Sequence, residues 1–264
     1  VTPVLALCPI NPFWWPVKPN VTRAAVNAVS GMYQDAHYGS VYFHREGADV
    51  HERQERYLDA LAEGVRRFRA EHEVFPVMIG SEMLDREACE GLRDRLGAEY
   101  PVIVSDDHDM YAMVSIMRQA RLMISSRYHA IVTTMPAGLP SAGVTMDERI
   151  RNLMADRGTP ELALEVDDPD LAVNVHTALL TLWNDAPRIR ASIDACVLEN
   201  LERMGQMGMD LVDFVRAHHP EFPFAEGLGK GGDPFAHLPS LPARLADMVA
   251  ARGHANPSRP RSVA

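Results

Sequence analysis

The sequence predicts an α/β fold with a doubly wound, mostly parallel sheet, and three observations carry that reading. Between residues 74 and 168, short apolar runs alternate with amphipathic segments, the pattern of strands joined by crossover helices. The runs VFPVMIG (74–80) and RLMIS (121–125) are apolar almost throughout, so the sheet they form is covered on both faces. Helix signals also stand where the pattern changes. Thr145 and Glu148 have capping-box spacing, and Gly158 follows Arg157 at a helix end.

Taken in order, VLALCPI (4–10) is the first strand. Residues 11–47 form a long connection bearing Trp14, Trp15, Tyr33, Tyr38, Tyr42 and Phe43, and connections of that length are often functional. Tyr57, Leu58, Leu61, Val65 and Phe68 make the apolar stripe of a first full helix over 49–72. Strands at 74–80, 101–106, 121–125, 140–145 and 162–168 then alternate with helices at 84–97, 108–120, 128–138 and 147–158. Strands 101–106 and 121–125 are expected at the centre of the sheet. Residues 169–218 read as mostly helical, with Met204, Met207 and Met209 as packing residues. Beyond Pro220 glycine, proline and polar residues prevail, and GHANPSRPRSVA reads as a disordered tail. The expected organisation is an α/β domain over 1–185, a helical extension over 186–220 and an irregular tail over 221–264.

Composition narrows the function. The 264 residues, 47% apolar, suffice for a sizeable core. A net charge of −10 excludes nucleic acid as the main partner, since phosphate backbones want a basic surface. Cys8, Cys89 and Cys196 are odd in number and widely spaced, which fits a reducing compartment and neither a disulfide framework nor a thiolate metal site. No apolar run approaches the ~18 residues of a membrane span. A soluble, cytoplasmic protein, not integral to a membrane, is expected; the sequence does not give its oligomeric state.

In open parallel sheets ligands bind outside the carboxyl ends of the strands. Those ends carry Asn11, Ser81 with Glu82, Asp106 to His108, Ser125 to His129, and Thr145. Ser126 and Arg127 stand at a strand-to-helix junction, where free N–H groups and an arginine fork suit an anion, and His129 suits proton transfer. A salt bridge with a hydrogen-bonded core histidine satisfies the same pattern. Asp107 and Asp109 fit helix caps better than a metal site, so no metal is expected. Trp14 and Trp15 are read equally well as a stacking wall for a sugar ring and as cover for the sheet.

The run MISSRYHAIVTTMPAGLPSAGVTMDERIRNLMADRG (123–158) resembles the polysaccharide pyruvyl transferase family. Ser125, Arg127 and His129 match its Ser-x-Arg-x-His motif, Gly138 with Pro140 its Gly-x-Pro, and Asp147 its Asp-x-Lys. Arg149 replaces the usual lysine and keeps the charge, whereas Met146 stands where an aromatic is common. The resemblance implies a Rossmann-like half of a GT-B-type enzyme. With Val1 leading straight into a strand, the chain is expected to be the C-terminal, donor-binding half, part of the acceptor site lying outside it. It implies pyruvyl transfer from phosphoenolpyruvate to two hydroxyls of a sugar or glycan, giving a ketal and needing no cofactor. His129 is then the catalytic acid–base. Ser125, Ser126, Arg127 and Arg149 bind substrate, together with Asn11, Trp14, Trp15, Ser81 and Thr145 from the strand ends and the connection. Two other readings stand beside this one. The first is a GT-B-type glycosyltransferase or nucleotide-sugar epimerase, with Glu165 or Asp167 gripping a ribose; the second is a non-catalytic binding domain of the same fold.

Overall fold

The computed structural model describes residues 2–30, 41–97, 99–224 and 232–254. Its centre is a six-stranded sheet of β1 (Val4–Cys8), β4 (Phe75–Gly80), β5 (Val102–Val104), β6 (Leu122–Ser125), β7 (Ser141–Thr145) and β8 (Ala163–Glu165). Every pairing in it is parallel, and the strands lie in the order β5-β4-β1-β6-β7-β8. This is the doubly wound α/β fold that the sequence predicts, with a Rossmann-like strand order.

The sheet order corrects one expectation. β6 is central, but β5 is an edge strand of three residues, and its expected central place belongs to β1. All these strands are comparably apolar, so composition does not rank them. The order comes from the two directions in which right-handed crossovers wind away from β1.

Helices α2 (Ala48–Glu71), α3 (Asp85–Leu96) and α7 (Leu171–Asn184) pack together on one face. The other face carries α4 (Met110–Met117), α5 (Tyr128–Thr134) and α6 (Glu148–Asp156). The stripe Tyr57, Leu58, Leu61, Val65 and Phe68 of α2 is buried to within a few per cent, as its spacing predicts. Burying such a side chain stabilises by about 1.5–3 kcal/mol, and one continuous core joins both faces of the sheet. On the second face the approach of α6 to β7 is unusually close. A Cβ at Gly143 would overlap Ile150 Cγ2.

Other differences are local. The connection after β1 is not all loop: it holds a 3-10 turn (Pro12–Trp14), the ribbon β2 (Lys18–Pro19) with β3 (Tyr42–Phe43), and α1 (Val21–Ser30). Tyr33 and Tyr38 lie outside the described residues. The capping box at Thr145 is also corrected. Asp147 is the N-cap of α6, its Oδ1 accepting from Arg149 N at 2.9 Å, while Thr145 bonds back to Asp147 itself. Asp109 caps α4 as expected, and Gly158 takes the left-handed backbone (φ +66°).

Helical character over 169–218 resolves into α7 and the 33-residue α8 (Ala186–His218). The segment after Pro220 is less irregular than its composition suggests. It includes α9 (Ala243–Ala251), which buries Leu245, Ala246 and Val249, because apolar residues at positions 245, 246 and 249 face inward at helical spacing. The tail from residue 255 lies outside the described residues. Among the described residues, no helix is long and apolar enough to cross a membrane.

Candidate functional site

β1 and β6 lie side by side, with Cys8 opposite Ser125, and from their ends the chain departs toward opposite faces. Such a switch point opens a crevice at the carboxyl edge of the sheet, where ligands of this fold class bind. The sequence-derived residues around it fall into two groups.

The first group is spent on the protein. Ser125, fully buried, accepts from Arg127 N at 3.0 Å and donates to Arg127 O at 2.9 Å, shaping the turn out of β6. Ser126 N donates to Cys8 O at 2.9 Å, and its hydroxyl lies 2.7 Å from Tyr57 Oη. Asn11 accepts from Phe13 N at 3.1 Å and donates to Gln54 Oε1. Thr145 is fully buried. These polar groups satisfy one another, as buried ones must, and stitch the strand ends rather than face a ligand. Any contact they make with a ligand competes with these internal bonds. Burial also pushes the Cys8 thiol up to about 12 and the Tyr57 phenol above its ordinary value, so both stay protonated at neutral pH. Neither is an activated nucleophile.

Arg127 shows a third pattern. Its fork grips Asp85: Nε donates to Oδ2 at 2.9 Å, and Nη2 donates to Oδ1. Nη2 also reaches Glu82 Oε2 at 3.2 Å. Burial holds the Asp85 carboxyl above the ordinary carboxylate range, with Arg127 pulling the other way. Two structural facts bear on the expected anion site at the helix start. The arginine already holds a buried carboxylate, and α5 has only seven residues, too few for a strong dipole.

The second group faces outward. His129 sits exposed in the first turn of α5, its ring 5.5 Å from that of Tyr128. Arg149, at the start of α6, donates to Asp147 Oδ2 through Nε (2.9 Å) and Nη2 (2.6 Å), and its guanidinium lies 5.9 Å from the Tyr128 ring centre. Arg127 is near enough to oppose the Arg149 charge. Arg149 and Asp147 line a cleft of about 510 Å³ with Pro12, Trp15, Pro16 and Met146. Ser81, half-buried, closes β4 beside Glu82.

The two tryptophans separate. Trp14 packs against the main core and, tilted, on His44 at 5.2 Å, whereas Trp15 meets the same ring edge-on at 5.6 Å and lines the cleft. Trp14→Ala is therefore expected to destabilise the fold by about 2–4 kcal/mol. Trp15→Ala should leave the melting temperature within a few degrees. Melting curves of the two variants check this division.

Sequence reasoning missed Tyr57, Gln54 and Asp85. Tyr57 was placed in a core stripe, where its ring does lie, but nothing local announces that its hydroxyl reaches Ser126. Asp85 carries no signal at all, since its burial depends on Arg127, 42 residues away. Among the described residues no group of three or more histidine, cysteine or acidic side chains is placed to hold a metal ion.

No protein-family model matches the chain, no curated protein matches it, and no solved structure matches it.

Proposed function

We propose that the protein transfers a pyruvyl group from phosphoenolpyruvate to two hydroxyls of a sugar or glycan. One observation carries this reading: of the residues that the motif resemblance singles out, Arg149 lines the Trp15 cleft, and Arg127, just past the end of β6 at the switch point, is near enough to oppose its charge. Phosphoenolpyruvate bears a phosphate and a carboxylate, and two arginines within reach of each other suit such a pair. A tryptophan face with flanking polar groups suits a sugar ring.

In the reaction the methylene carbon of the donor gains a proton and C2 becomes electrophilic. Two sugar oxygens bond to C2, and its bond to the phosphate oxygen breaks. Of the two hydroxyl protons released, one balances that gained by the methyl group and the other leaves with phosphate. His129, exposed in the first turn of α5, is the residue that moves the proton in this reading. The arginines neutralise the departing phosphate.

The nucleotide-sugar reading draws less support. Asp167 pairs with Arg53 at 2.6 and 2.7 Å and Glu165 with Arg151 at 2.9–3.0 Å, so a ribose hydroxyl would compete with a guanidinium for either carboxylate.

Thermal shift tests the assignment. Phosphoenolpyruvate at 100 times its Kd should stabilise the fold by about 2.7 kcal/mol, a rise of roughly 5–10 °C for a chain of this size. UDP-glucose should give none. A rise with UDP-glucose alone favours a glycosyltransferase, and a response to neither favours a binding domain without this chemistry.

A further inference from the structure

Arg127 is held by two carboxylates that differ in kind. Asp85 is 1% exposed, takes two of the arginine's N–H groups, and accepts from Glu82 N at 3.1 Å as well. It has nowhere else to go, because a buried carboxylate released from its partner keeps the whole desolvation penalty. Glu82 is 43% exposed and meets Arg127 once, at 3.2 Å. Its backbone is pinned, since its carbonyl accepts from Asp85 N at 2.9 Å, while its side chain has solvent on one side. With Glu82 open to water and only one contact made, this pair is worth far less than the buried one with Asp85.

We propose that Glu82 is a built-in competitor at the anion site: its carboxylate occupies the edge of Arg127 that an anionic ligand takes, and binding displaces it into water. Asp85 stays in place as the positioning residue that aims the guanidinium. The inference rests on the reading of Arg127 as a donor-holding residue and adds what that reading lacks, an account of how an arginine already paired accepts a second anion.

The test is calorimetric titration of the wild-type chain and of Glu82→Gln with phosphoenolpyruvate and with inorganic phosphate. Glu82→Gln keeps the shape and removes the charge, so phosphoenolpyruvate should bind about three- to tenfold tighter, from the lost competing pair and the lost repulsion. Phosphate should gain in the same direction. Glu63→Gln, among Arg66 and Arg67 on the solvent face of α2, makes the same charge change and should leave both affinities as they were. If wild type binds and Glu82→Gln binds equally or more weakly, the competitor role is wrong while the donor assignment stands. If Glu63→Gln tightens binding as much, the effect is one of net charge and the proposal falls. If neither the wild type nor Glu82→Gln, each shown folded by its melting curve, binds phosphoenolpyruvate, the donor assignment falls and the proposal with it.

Discussion

Arg127→Met is expected to lower the unfolding free energy by about 3–5 kcal/mol, the largest effect of any single change at the switch point. The variant keeps the aliphatic volume and leaves Asp85, 1% exposed, without its counter-charge. The loss should depend on pH in a definite direction. In the folded chain burial already raises the Asp85 carboxyl above its unfolded value, so this group's contribution to stability falls as pH rises through the interval between the two. Without Arg127 only the Glu82 N–H still opposes the upward push. The deficit of Arg127→Met should therefore be smallest in acid, where Asp85 is protonated, and grow toward neutral pH. Chemical denaturation at pH 4.5 and pH 7.5 measures it, and adding Asp85→Leu should recover most of the loss. A deficit that does not change with pH, or that the second substitution does not relieve, would show that the pair is not what holds this corner. Arg127→Lys keeps the charge but loses the fork. It should weaken phosphoenolpyruvate binding about tenfold and also cost some stability, because the same fork serves Asp85.

His129→Gln should behave in the opposite way. The histidine is exposed and its ring has an edge contact with Tyr128, so stability should move by no more than about 0.5 kcal/mol. Glutamine still hydrogen-bonds but does not shuttle a proton near neutral pH. Turnover of phosphoenolpyruvate into ketal should drop by about 10²-fold or more while donor affinity stays within a factor of two or three. Rate and affinity measured on one preparation decide it. Wild-type turnover in the glutamine variant would remove His129 from the chemistry, and joint loss of stability and binding would make it a structural residue.

The contrast between these two residues shows what the sequence discloses. Period and apolarity made the parallel sheet and the α2 stripe legible, because both follow from which faces must be buried. Strand order was not legible, since Val102–Val104 and Leu122–Ser125 are similar in composition and differ in crossover direction. At the site, the motif located Arg127, His129 and Arg149, and of these Arg149 lines the cleft with Trp15. It did not show that Arg127 would be paired, because Asp85 reads as an ordinary acidic residue in a first helical turn. The helix α9 was missed for a related reason. Prolines and glycines around it dominate the local composition, and its three inward residues gain their meaning from α8 and the turn after β7's preceding helix, against which this segment packs.

The contact at Gly143 sets a mechanical condition on the cleft. With no side chain at that point, α6 lies directly on the sheet, and the first turn of that helix carries Arg149. The breadth of the opening between Trp15 and the guanidinium is therefore governed from beneath, by the thickness of the layer on which α6 rests. A methyl group inserted there would act as a shim, lifting the helix and carrying the charge away from the tryptophan without altering any residue that lines the opening. The gauge of the cleft is fixed by an atom that is not there.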